Sequence, residues 1–224
     1  MRVAIRHKLG AARRVLAYCA AHPDPTPAAA ASVSRLQSLL ARVAALEATH
    51  QRDQAAARQA LEERNRMEDG MRALLTHLVR LCRAVVLHEG LDDLRLELRL
   101  RPRGPSLLQK GVAAALARAS GHRDLLLRYG LPPNLLPELE QGLEAYRRAE
   151  ERRKTSLAAS LQAASAIECA AAEAHNAIRH LDALNRIRFA ADPQTLAEWE
   201  TARSIPWGLR RGWTALGPDP LSAA

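Results

Sequence analysis

Aromatic side chains are scarce: three Trp, three Tyr and one Phe in 224 residues, 3% of the chain. A protein that reads single-stranded nucleic acid by stacking bases needs more of them, set within a dense basic patch. Lysine is scarcer still, at Lys8, Lys110 and Lys154 only, so arginine carries nearly all the positive charge. Three cysteines, Cys19, Cys82 and Cys169, stand far apart and make neither a metal-binding spacing nor a disulfide framework. Such residues read as small apolar side chains in a reducing compartment. No run of eighteen apolar residues occurs, so no membrane-spanning helix is expected. The basic N-terminal stretch is interrupted by His7, Lys8, Arg13 and Arg14 and lacks the continuous apolar segment of a signal peptide. A cytoplasmic protein without membrane association is the expectation.

Catalytic signatures are missing as well. The chain has no Gly-rich phosphate loop and no Gly-x-Ser-x-Gly elbow. Glu47 and His50 have the Glu-x-x-His spacing of di-metal carboxylate bundles, but Arg147 and Glu150 stand one hundred residues on and do not repeat it. His175 and His180 are five apart and diverge around a helix. No enzyme activity, no cofactor and no metal are expected.

What the chain has is alanine, leucine and arginine. Hydrophobic residues make up 48%, enough for a core, and their small size suits close helix packing. The net charge is +9, carried by the first 130 residues without a dense block. That leaves nucleic-acid binding as a secondary expectation, weak, electrostatic and indifferent to sequence.

Proline and glycine divide the chain sparingly. A first helix over residues 3–21 ends at "HPDPTP"; a proline-free run covers 28–88; a third helix starts near Ser106 and stops before "YGLPPN"; a second long run reaches about 191, where "DP" ends it; a short helix follows over 194–203. Apolar residues inside the runs recur at steps of three and four, as in Leu36, Leu39, Leu40, Val43 and Leu46, or Leu157, Leu161, Ala164, Ile167, Ala171, Ala174, Ile178, Leu181, Leu184 and Ile187. At an offset of 100 the runs match: Leu36 with Leu136, Leu39 with Leu139, Val43 with Leu143, Leu46 with Tyr146, Leu61 with Leu161, Met67 with Ile167, Leu78 with Ile178 and Leu81 with Leu181. Both contain a polar neck, at 47–56 and 147–156, and both follow a shorter helix with a histidine near its end, His22 and His122. This pattern reads as a tandem duplication, although two leucine-rich helices in similar phase also match by chance.

The expected fold is all-α: an elongated antiparallel four-helix bundle made from two tandem helix–turn–long-helix units, with one short extended crossover. By this reading residues 1–90 form a first helical hairpin, 91–105 the crossover, 106–205 a second hairpin with a short capping helix, and 206–224 a flexible tail.

Two stretches stand out as candidate interaction sites. "LRLELRLRPRG", starting at Leu94, alternates leucine with charge, so that Leu94, Leu96, Leu98 and Leu100 share one face of an extended chain. Its leucines pack either under the bundle or against the same segment of another copy. "WGLRRGW" places Trp207 and Trp213 around Arg210 and Arg211, a group suited to gripping an acidic partner or to plugging the end of the bundle.

The stretches "GLPPNLLPELEQGLEAYRRA" and "IRHLDALNRIRFAADPQTLAEWETARSIP" resemble the C-terminal part of a group of bacterial all-helical proteins with no established activity. The matching residues are Gly130, Leu131 and Pro132; Leu181, Asp182, Ala183 and Leu184; Asp192 and Pro193; and Trp199, Ala202 and Arg203. The resemblance covers about residues 107–206 and implies a helical bundle, with no activity. Local physics accounts for the same residues: Asp192 caps the last helix with Pro193 in its first turn, Trp199 closes the bundle end, and Asp182 pairs with Arg203. The leading functional reading is a non-enzymatic interaction or assembly module that binds a protein partner or itself.

Overall fold

A computed structural model describes residues 3–96 and 105–205. Six α-helices and one 3-10 turn occupy them, and they contain no strand. The protein is all-α. The helices are α1 (Val3–Ala21), α2 (Pro27–Glu89), α3 (Pro105–Gly121), α4 (Arg123–Arg128), α5 (Leu135–Arg188) and α6 (Pro193–Arg203). Among the described residues no helix is long and apolar enough to cross a membrane.

The two proline-free runs are two unbroken helices, of 63 and 54 residues. Both polar necks stay helical, because Glu, Gln, Arg and Ala are all good helix formers even where packing is thin. The ends follow backbone chemistry. Pro27 opens α2 where its missing N–H costs no hydrogen bond. Gly90 closes it at φ +71°, its N–H bonded to the Val86 carbonyl at 3.0 Å. Gly130, at φ +89°, ends α4 in a Schellman arrangement: Leu131 N–H reaches the Leu126 carbonyl at 2.9 Å and Gly130 N–H reaches Leu127 at 3.0 Å. The single helix expected from Ser106 to the Gly-Leu-Pro turn is two helices, broken at His122, whose backbone (φ −120°, ψ 23°) leaves the helical region.

The described chain divides into two compact units that do not follow sequence order. Unit 1 combines Met1–His50 with Leu161–Ala224, and unit 2 is Gln51–Ser160. The divisions fall in α2 just after Glu47-x-x-His50 and in α5 just after the second neck.

Unit 1 packs α1 and α6 on the first part of α2 and the last part of α5. Its core holds Leu9, Val15, Leu36, Val43, Ile167 and Leu181 with a run of alanines (Ala170, Ala171, Ala174, Ala177). The aromatic end is built around Trp199, which is fully buried, lies edge-on to Tyr18 at 5.3 Å and donates its Nε1–H to Asp182 at 2.9 Å. Arg203 Nε stands 3.1 Å from the same carboxylate and Arg186 Nε 3.2 Å, so Asp182 ties α6 to α5. Asp192 caps α6 through Thr195 N–H at 3.1 Å, with Pro193 as the first helical residue. Hydrogen bonds from the Thr195 hydroxyl, at 2.6 Å, and then from the Thr195 N–H hold its carboxyl below the usual range.

Unit 2 packs α3 and α4 on the last part of α2 and the first part of α5. Met71, Leu78, Val85, Val112, Leu139 and Tyr146 are among its core residues. Gly142 marks a close approach of the long helices: a Cβ there would stand 3.0 Å from Met71 Cγ.

Of the eight sequence pairs matched at an offset of 100, seven have one or both members buried and the other half-buried; the eighth, Leu61 with Leu161, is exposed in both. The stripe expected on α5 needs a correction. Leu157, Leu161 and Ile187 face solvent, and Ala163, Ala170 and Ala177 take up the buried line with Ile167, Ala174 and Leu181. Alanine is preferred on that line because it lets neighbouring helices pack closely.

Candidate interaction surface

The segment read as an extended crossover begins otherwise. Asp92–Leu94 form one 3-10 turn, closed by Arg95 N–H on the Asp92 carbonyl at 3.0 Å. This turn drives Leu94 wholly into the unit 2 core, and Leu96, half-buried, packs against the same cluster. Arg95 is exposed, but its carbonyl accepts from Arg118 Nη1 of α3 at 3.0 Å, and Asp93 meets His122 Nε2 at 2.8 Å. The first half of the leucine row is therefore fastened inside unit 2. Leu98 and Leu100 lie outside the described residues, as do Trp207, Arg210, Arg211 and Trp213.

The open surface of unit 2 lies on the two long helices near the neck. A groove of about 890 Å³ runs there, floored by Ala56, Ala60 and Ala145. Glu63 and Arg152 from α2 and α5 line it as an ion pair of 2.7 Å, joined by Arg148 and Glu151. Leu61 and Leu157, each the immediate sequence neighbour of a lining residue, are 36% and 43% exposed. None of this carries a sequence motif; the alanines, arginines and glutamates look like ordinary solvated helix.

Also in unit 2, Glu150 is almost inaccessible. Its carboxylate takes two hydrogen bonds of 3.0 Å from Arg153 and one of 3.3 Å from Arg64. The Arg153 bonds, helped by Arg64 and opposed by burial, hold the carboxyl below its usual range. Tyr146 is buried in the unit 2 core and its hydroxyl has no hydrogen-bond partner; burial pushes its pKa up. The Arg64 contact joins α2 to α5, and removing one partner would leave the other charge buried without compensation.

His175 and His180 of α5 lie in unit 1. His175 Nδ1 is buried without a partner, and burial, with Lys8 and Arg179, lowers its pKa. His180 Nδ1 and Ser32 Oγ are 2.7 Å apart, with the Ser32 hydroxyl also within 3.0 Å of the Ala28 carbonyl. Among the described residues no group of three or more His, Cys, Asp or Glu comes together as a metal site. No family model, no curated protein and no solved structure matches this chain.

Proposed function

We propose that the chain is a non-enzymatic interaction and assembly module of the cytoplasm, its helices arranged as an antiparallel four-helix bundle. One observation carries the reading: the alanine-lined groove of unit 2, bordered by charged side chains of both signs. Small side chains along it admit a helix backbone closely, and the stems of Arg148 and Arg152 supply apolar contact. The lining carries both signs of charge, so the occupant that fits is an amphipathic helix of a protein partner bearing acids and bases along its edges. Self-association belongs to the same reading and rests on a separate observation, the way the two halves of the sequence share their cores.

The alternative, a nonspecific nucleic-acid binder, has less support. Several arginines on the long helices already meet carboxylates of this chain: Arg35 with Glu173, Arg147 with Glu144, Arg152 with Glu63, and Arg186 with Asp182 and Glu200. A phosphate must displace those partners before it gains contact.

The test is a photo-crosslinking side chain at Thr155, in the groove, with Arg123 on α4 as the control position. A discrete adduct from Thr155 in the native cell, insensitive to nuclease and lost in Ala56→Glu/Ala145→Glu, which fill the groove, while the melting temperature holds, supports the proposal. Equal adducts at both positions, or loss on nuclease treatment, overturns it.

A further inference from the structure

The cores of both units are built by the same rule. Cut the sequence between residues 96 and 105 and call the pieces the first and second repeats. In unit 1 the first repeat supplies α1 and the opening part of α2, and the second supplies the closing part of α5 with α6. In unit 2 the roles reverse: the second repeat supplies α3, α4 and the opening part of α5, and the first supplies the closing part of α2. Several buried positions correspond at an offset of 100. Ala12 and Val15 of α1 answer to Val112 and Ala115 of α3, with large and small exchanged. Leu36 and Leu39 answer to Leu136 and Leu139, and Ala171 and Ile178 of α5 answer to Met71 and Leu78 of α2. Leu87, 82% exposed, and Ile187, 79%, correspond as well. Chance matching of two leucine-rich long helices does not place α1 on α3.

Neither repeat therefore owns a core. Leu36 and Val43 of the first repeat share a cluster with Ile167 and Leu181 of the second; Leu139 and Tyr146 of the second share one with Met71 and Val85 of the first. Every such contact is between repeats, so it is made equally well when the repeats come from two chains. We infer that a second copy of this chain is the partner this architecture takes up, by exchange of whole repeats: the first repeat of each copy completes both cores with the second repeat of the other. This deepens the assembly reading and rests on it only for its biological use. No contact within a unit changes on exchange; what changes is the effective concentration of one repeat at the other. The covalent link is the eight residues 97–104, and a link of that length gives an effective concentration on the order of millimolar. The exchanged dimer is minor at micromolar chain and comparable with the monomer near millimolar. Its formation and its decay both require two cores to open, so it persists after dilution.

The experiment refolds the full chain from denaturant at about 1 µM and at about 1 mM, dilutes both to the same concentration and measures mass by sedimentation. The expected result is monomer from the first and, from the second, a dimer fraction near one half that survives dilution for hours. Exchange is read directly in Ser32→Cys/His180→Cys/Cys169→Ser, since Ser32 Oγ and His180 Nδ1 stand 2.7 Å apart across the repeats of unit 1. After oxidation, a non-reducing denaturing gel shows a covalent dimer if residue 32 of one chain faces residue 180 of the other. A chain with Arg35→Cys/Glu173→Cys/Cys169→Ser and a short bis-maleimide, on a pair 3.3 Å apart at the charged groups, gives the same reading without disulfide geometry. A dimer that dissociates on dilution and yields only monomer on the gel overturns exchange and leaves self-association by surface contact. Monomer at every refolding concentration overturns both exchange and self-association.

Discussion

Leu94 is the sharpest test of how the start of the crossover is used. It is fully buried, held by one 3-10 turn, and packs with Met71, Leu108 and other members of the unit 2 core. Leu94→Ala removes three carbons from a site with no solvent to fill it, at a cost of about 3 kcal/mol from lost transfer and residual cavity. For a chain of this size that lowers the melting temperature by about 6–12 °C if unfolding is cooperative. Leu94→Asp adds a carboxylate with no partner, and the cost rises to about 5 kcal/mol or more, a large part of the stability of an ordinary domain. Arg95→Ser, on an exposed side chain whose carbonyl rather than guanidinium is used, should melt within about 1 °C of the wild type. Thermal melts followed by far-UV circular dichroism, with sedimentation at one concentration, read all three. Both Leu94 variants should melt early with no change of mass at a given concentration. A Leu94→Asp protein that melts normally but changes its mass would show that this leucine works between chains, and the packing argument would fail.

Four further outcomes follow from named contacts. Trp199→Phe should cost about 1–2 kcal/mol and Trp199→Ala about 3–5 kcal/mol in urea unfolding; the Phe figure is the smaller because its ring refills most of the buried volume, and in both variants Asp182 loses the indole N–H but keeps Arg186 and Arg203. Glu150→Gln should destabilise by about 2 kcal/mol at neutral pH, below the value for a wholly buried pair because Arg64 and Arg153 retain some solvent. The folded pKa of Glu150 is depressed, so its contribution is complete above the unfolded value near ~4.3 and is lost as pH falls through the folded value; the wild-type minus Glu150→Gln stability difference should shrink over that window, and a difference flat to low pH would refute the pairing. Thiol titration at pH 8 should label exposed Cys169 first and half-buried Cys19 slowly, while Cys82, whose pKa burial raises to about 11, should react only on unfolding.

Much of the helical pattern was legible because its punctuation is local. Pro27, Gly90, Gly130 and Pro193 mark ends through backbone rules that need no tertiary partner, and Asp192 three residues before Thr195 is a cap on sight. The buried face of α5 was legible from Ile167 to Leu181, but not next to the neck or at Ile187. A helix shared by two units meets different companions along its length, and its buried line moves to follow them. A stripe phased on Leu157 and Leu161 runs through Ala164, whereas the buried line next to the neck runs through Ala163. The 3-10 turn at Asp92–Leu94 was hidden by leucine alternation, which mimics a strand whenever the intervening residues are charged. The groove was hidden for another reason: its floor is alanine, and an alanine on a helix does not disclose whether it faces solvent, a neighbour or an open recess.

Unit 2 begins at residue 51 and returns at residue 160 to a unit 1 that holds both ends of the described chain. Under tension applied at those ends, the load path crosses α1, α6 and the parts of α2 and α5 they cover, and the detour through residues 51–160 carries load only after contacts in unit 1 slip. The lashings of α1 and α6 include Arg14 on the Ala202 and Ser204 carbonyls, Tyr18 on the Thr195 carbonyl, and the Asp182 knot under Trp199. A tethered molecule should yield first as a short step, with α1 and α6 peeling away, followed by a longer one as the sheltered loop of chain pays out.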